Sequence, residues 1–273
     1  TFDDIIFPNH PYGRPEDGFP ESVRAVTRDD IIDFHRRHYG PTGMVLVVVG
    51  AVSPQEVIEK VQTYLGDWQN PDQESAPAMP AIVPLAASVR KHIAIPEKSQ
   101  TDLVMGTLGP KRNSPDYLAA SLGNSILGQF GMMGRIGDIV REQAGLAYHA
   151  STSLNAWICS GSWEVSAGVN PANLQRAIDL IISEMKRFVS EPVSDEELSD
   201  NQANFVGRLP LSLESNSGVA NALLNLERFQ LGLDYYQRYP GMIDAVTPEM
   251  VLETARRHIN PEKMAIVSAG VAL

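Results

Sequence analysis

Residues 25–50, AVTRDDIIDFHRRHYGPTGMVLVVVG, return near the other end of the chain as residues 245–270, AVTPEMVLETARRHINPEKMAIVSAG. Aligned without a gap at an offset of 220 residues, the copies share Ala25/Ala245, Val26/Val246, Thr27/Thr247, Arg36/Arg256, Arg37/Arg257, His38/His258, Pro41/Pro261, Met44/Met264, Val47/Val267 and Gly50/Gly270. That period is the size of a domain rather than of a solenoid unit, and it implies two homologous domains. The first copy is complete by residue 50, so by the same offset roughly 170 residues of its domain are expected ahead of Thr1. The expected organisation is the C-terminal part of a first domain over 1–68, a linker over 69–85 and a complete second domain over 86–273.

The repeat also decides how to read HRRH, residues 35–38. Histidines three apart share a helical face and could hold a metal, but zinc needs a third protein ligand, and position 35 becomes Ala255 in the second copy. A metal pair would not lose one member while its scaffold survives. The segment reads as a helix end, where cationic side chains are favourable near the last carbonyls.

The chain has 273 residues, 43% of them hydrophobic and 20% charged, enough for more than one core. Its net charge of −11 argues against nucleic acid or an anionic membrane as partner, and no apolar run is long enough to span a bilayer. Cys159 is the only cysteine, which excludes an intrachain disulfide. The compartment stays open, with the bacterial cytoplasm or periplasm as the expectation for a soluble chain.

Periodicity and punctuation predict a helix over 28–38, a buried strand over 43–50 and a helix that starts at Ser53-Pro54 and ends at Gly66. Pro71, Pro77, Pro80 and Pro84 mark the linker as extended. The second domain is predicted to open with strands near 89–95 and 102–108, followed by a helix from Ser114-Pro115 and another over about 133–144 that stops at Gly145. A hairpin over 146–157 and 161–169 comes next. Leu174, Ala177, Ile178, Ile181, Met185, Phe188 and Val189 form a helical stripe, and Ser194 with Glu197 forms a capping box. Helices through 217–232 and 248–258 lead to a last strand near 263–270. The fold class is α+β, a mostly antiparallel sheet covered by helices.

Little in this pattern carries chemistry. LGQFGMMGR, residues 127–135, lacks the endings of a phosphate or dinucleotide loop and reads as a turn. There is no HxxEH or HxxxH. In REQAGLAY, residues 141–148, Arg141 lies about one turn before the helix end, Gly145 lets the backbone reverse, and Tyr148 enters the next strand. A guanidinium and a phenol could converge there, and both donate hydrogen bonds to a peptide carbonyl or an oxyanion. On spacing alone, an arginine serving the helix dipole and a tyrosine packing in a strand account for the same residues.

HPYGRP (10–15), ESVRAVTRDDIIDFHRRHYGPTGMVLVVVGAV (21–52) and LGQFGMMGRIGDIVREQAGLAY (127–148) resemble the pitrilysin/insulinase (M16) family of zinc metallopeptidases, which includes the mitochondrial processing peptidases. The resemblance implies homologous α+β domains enclosing a peptide chamber and a zinc endopeptidase that cleaves peptides or unfolded segments. Its water would be activated by a glutamate and added to a carbonyl polarised by Zn2+. The ligands, in an inverted HxxEH motif, belong ahead of the HPYGRP-like segment and are not in this chain, which alone is expected to be inactive. The family's Arg and Tyr, seven residues apart, match Arg141 and Tyr148, which would hold the substrate. The partners implied are a peptide substrate and either an N-terminal half or a partner subunit, in a dimer. The alternative is a non-catalytic binding or assembly subunit of the same fold, like the core proteins of respiratory complexes.

Overall fold

The computed structural model describes residues 1–272, apart from the side chains of Met132 and Met133. In chain order its helices and strands are α1 (Phe2–Ile6), α2 (Pro20–Ala25), α3 (Arg28–His38), α4 (Pro54–Leu65), β1 (Val89–Ala94), β2 (Thr101–Gly109), α5 (Tyr117–Gly128), α6 (Phe130–Gly137), β3 (Ala147–Ala156), β4 (Gly161–Val169), α7 (Leu174–Phe188), α8 (Asp195–Ser212), α9 (Asn216–Arg228), α10 (Tyr235–Asp244), α11 (Pro248–His258) and β5 (Ala265–Gly270). The chain divides into two compact units. One comprises Thr1–Gly13, Pro80–Gly207 and the chain from Tyr236 onward; the other comprises Arg14–Met79 and Arg208–Tyr235.

The first unit is built on a five-stranded sheet in the order β1-β5-β2-β4-β3, antiparallel except for the β1–β5 pair. It is the α+β architecture expected. Alternation sends Leu103, Met105, Trp163 and Val165 to one face, where they are buried with Leu122, Ile126, Ile181, Phe188 and Val251 of the covering helices. The apolar stripe of α7 supplies its share of that layer, with Leu174, Ala177, Ile178, Ile181, Met185 and Phe188 all buried. Part of the other sheet face is apolar too. Phe2, Ile6 and Phe7 form a small core there with Ala265 and Val267, and Ile82, Leu85 and Trp157 pack against it.

The second unit contains α3, which a reciprocal capping box starts: Asp30 N–H donates to Thr27 Oγ1 at 3.2 Å and Thr27 N–H to the Asp30 carboxylate at 2.8 Å. The beginning of the proline-rich stretch is tied to the end of α3. Asn70 Nδ2 donates to the carbonyls of Arg36 and Tyr39, and the Arg37 guanidinium pairs with Glu74 at 2.7 Å. Among the described residues no helix or strand interrupts the chain between Leu65 and Val89.

One expected element is absent. Residues 43–50 do not form a strand, and Met44, Val45, Leu46 and Val48 are exposed. A strand's hydrogen bonds are made to its neighbours, and no neighbouring strand lies beside this segment among the described residues. Three short elements were also invisible to periodicity: α1, α2 and α10, each of ten residues or fewer.

Candidate functional site

Arg141 and Tyr148 lie on either side of a tight reversal in the first unit, and two backbone irregularities set their directions. The helix expected over 133–144 is α6 followed by a π-helical turn over Asp138–Gln143. Such turns reset the phase of a helix and are enriched at functional sites. Arg141 sits in that turn. Gly145, at φ +63°, ends it in the left-handed region. Its N–H donates to the Arg141 carbonyl at 3.1 Å, and that of Leu146 to the Val140 carbonyl at 2.9 Å. Val140 and Leu146 are both buried in the main core, which fixes the corner from below.

Tyr148 occupies the second irregularity. Ala147 pairs with Val169 and His149 with Gly168, so Tyr148 is the extra residue of a β-bulge. Bulges re-aim a side chain out of the pleat, and Tyr148 is 79% exposed. The Arg141 guanidinium carbon lies 5.9 Å from the centre of the tyrosine ring, within cation–π range. Glu142 Oε1 approaches Arg141 Nε at 3.4 Å, but this exposed ion pair is weak and leaves the guanidinium's outer edge available. The geometry thus places two hydrogen-bond donors side by side on the surface.

Arg135 anchors the helix that leads into the π turn. Its Nε and Nη2 donate to the two carboxylate oxygens of Glu197 at 2.7 and 2.6 Å, and its Nη1 lies 3.7 Å from the buried Glu184. The guanidinium, with help from the Ser194 N–H, pushes the Glu197 carboxyl down to about 2. Ser194 and Glu197 form the capping box read from the sequence. That Glu197 also receives Arg135 was not legible, since residues 62 apart show no periodic relation. LGQFGMMGR is the α5–α6 corner rather than a free turn. A Cβ on Gly134 would meet the Ile126 carbonyl oxygen at 2.5 Å, so only glycine permits that approach.

His35 and His38 are engaged with their own helix end. His35 stacks on Tyr39 with ring centres 5.0 Å apart, and His38 tilts against Phe34 at 4.7 Å. Among the described residues no group of three or more His, Cys, Asp and Glu is placed to hold a metal ion. The donor set of a zinc centre is therefore not assembled from these residues.

The family described as Peptidase M16 inactive domain matches residues 25–205. The chain belongs to that family. It is 29% identical over 269 residues to an uncharacterized zinc protease of Mycobacterium leprae, covering 96% of this chain and 59% of that protein. It is 27% identical over 231 residues to the mitochondrial-processing peptidase subunit beta of Saccharomyces cerevisiae, covering 79% and 49% respectively. Among solved structures, a peptidase M16 inactive domain from Pseudomonas fluorescens superposes with a TM-score of 0.88 at 26% identity, over 100% of this chain and 64% of that one. The chain thus spans less than two thirds of the length of these relatives. No helix among the described residues is long and apolar enough to cross a membrane.

Proposed function

We propose that this chain is the substrate-holding part of a zinc-dependent endopeptidase of the pitrilysin/insulinase type, acting on peptides or unfolded segments. The observation that carries the reading is the pairing of Arg141 and Tyr148 across a π turn and a bulge, with the phenol free in solvent. The phenol O–H and the guanidinium are two donors suited to one peptide carbonyl, and to the oxyanion that develops when it is attacked. Relatives bearing the name zinc protease support the class of reaction. The hydrolytic centre would be supplied from outside these residues, by an N-terminal half or a partner subunit. In this reading residues 1–68 end a first domain, 69–85 link it, and 86–273 form the second domain, on whose sheet residues 1–13 pack.

A second reading, a non-catalytic assembly subunit, draws on the likeness of fold to a chain of complex III from Candida albicans, with a TM-score of 0.81 at 17% identity. One substitution separates the two. In the complete peptidase, Tyr148→Phe is expected to lower peptide turnover about 100-fold, the usual loss for a transition-state donor, with the melting temperature nearly unchanged. A purely structural hydroxyl would instead cost about 1 kcal/mol of stability and leave turnover intact. That second outcome would remove the Arg/Tyr pair from the function.

A further inference from the structure

Strand β2 runs on past the start of β5. The β2–β5 pairs stop at Gly106–Ala265, so Thr107, Leu108 and Gly109 form a lip with no β5 partner. A cavity of about 410 Å3 lies at that notch, a size usual for small-molecule sites. Both faces of the sheet contribute to its wall. Leu108 packs on the side of Ile6 and Leu85, whereas Thr107 alternates with it and shares the helix-covered side with Leu103 and Met105. With Pro84 added, the greater part of the wall is apolar.

The polar part is one-sided in charge. Arg257, His258 and Lys263 line the cavity and no acidic side chain does, in a chain with 33 acidic residues against 22 lysines and arginines. Asp116 pairs with two of these bases: Arg257 Nη1 lies 2.8 Å from Asp116 Oδ1, and His258 Nε2 lies 3.0 Å from Oδ2. That pairing leaves Arg257 Nη2 without a partner among the described residues, and Lys263 Nζ is in the same condition. Glu262, next to Lys263, pairs instead with Lys186 at 2.6 Å. The turn that carries Lys263 is fixed: its N–H donates to the Asn260 carbonyl at 2.9 Å, and the Ser88 hydroxyl donates to the Glu262 carbonyl at 3.0 Å. Thr107 is only 5% exposed, and its hydroxyl has no hydrogen-bond partner. Buried hydroxyls are normally paired, so this wall suits a ligand that brings a polar atom of its own.

We propose that the cavity binds a small organic acid, with its apolar body against Ile6, Leu85 and Leu108 and its carboxylate received by Arg257 and Lys263. A guanidinium edge and an ammonium beside an apolar wall favour a carboxylate over a neutral group, and the apolar wall favours a tail over a bare inorganic anion. The site does not rest on the reading of Arg141 and Tyr148. Tyr148 adjoins the Ala147–Val169 pair, and Val169 pairs with Thr101, eight residues along β2 from Gly109, roughly 26 Å at the rise of a strand. The bound acid would bridge three segments distant in sequence, at residues 6, 84–85 and 257–263, and stabilise their packing by mass action.

The test titrates this chain with octanoate, octanol, octylammonium and inorganic phosphate, read by isothermal titration calorimetry and by amide chemical shifts. Octanoate is expected to bind with a Kd on the order of a millimolar or tighter. It should bind about tenfold more tightly than octanol, which lacks the charge, and than phosphate, which lacks the tail. Octylammonium should bind more weakly than octanol. The shifted amides should lie at 84–85, 107–109 and 257–263. Arg257 and Lys263 are exposed, so the double variant Arg257→Gln/Lys263→Gln is expected to fold, with circular dichroism as the check. It should bring octanoate to within about twofold of octanol and leave octanol binding unchanged. Lys263→Gln alone, which breaks no ion pair, should weaken octanoate about threefold. No saturation by about 10 mM octanoate, octylammonium or phosphate binding as tightly as octanoate, shifts centred elsewhere, or an octanoate preference that survives in the folded double variant would each overturn the site.

Discussion

Residues 25–50 and 245–270 are one sequence motif in two environments, and the motif responds in halves. The helices agree in length and ends: α3 runs from Arg28 to His38 and α11 from Pro248 to His258, an offset of 220 at both ends. Thr27 and Thr247 cap them in the same way, accepting from the N–H three residues on, and the C-caps Tyr39 and Ile259 share φ and ψ to within 2°. The following segments do not agree. Residues 265–270 are β5, bonded to β1 and β2, whereas residues 45–50 have no ladder. Met264 is fully buried and Met44 is 47% exposed; Ile266 is 4% exposed and its counterpart Leu46 55%. The difference shows that a capped helix is specified locally, while a strand exists only where another strand receives it.

The largest expected contrast is in amide exchange. The β5 amides should be protected by on the order of a thousandfold or more relative to those of 45–50, because β5 opens only with the sheet around it. Comparable protection in both would break the comparison. In a longer polypeptide that supplies the proposed first domain, protection should spread to residues 45–50; its failure to do so would sink the duplicated-domain reading. The apolar groove of about 500 Å3 that Leu46, Val48 and Val52 form with Val57, Ile58 and Val61 of α4 should close in the same experiment.

A smaller contrast should appear on truncation. Ile266→Ala is expected to cost about 2–5 kcal/mol in denaturant unfolding, and Leu46→Ala within about 0.5 kcal/mol of nothing, as for an exposed side chain. A large cost at Leu46 would mean that the segment is packed in solution. The smallest contrast is a predicted equality. Thr27→Ala and Thr247→Ala should each remove about 1 kcal/mol from their own helix, measured by exchange of the first-turn amides, and a difference of more than about 1 kcal/mol would show that tertiary packing, not the cap, starts one of them.

The candidate site was legible to a limited depth. Arg141, Gly145 and Tyr148 could be singled out because a helix stop between two donors is a local pattern, and the Arg141 guanidinium carbon lies 5.9 Å from the centre of the Tyr148 ring. The π turn and the bulge that aim them leave no mark in residue spacing, since each is one residue of slippage settled by the packing of Val140 and Leu146 beneath. The serines of β3 and β4 are plain in STSLN and SWEVS, yet their cross-strand pairs on one sheet face depend on register. Shifting β3 by one residue against β4 would have scattered the pairs over both faces.

The repeat, the helix caps, the main strands of the second half and the α+β class could be read from the residues alone, because caps and periodicities act over three or four residues and need no distant partner. That residues 45–50 form no strand, although 265–270 form the one expected, and that Glu197 clamps Arg135 came from tertiary pairing alone. Those outcomes depend on which segments meet, and backbone hydrogen bonds and buried charges are satisfied between segments rather than within them.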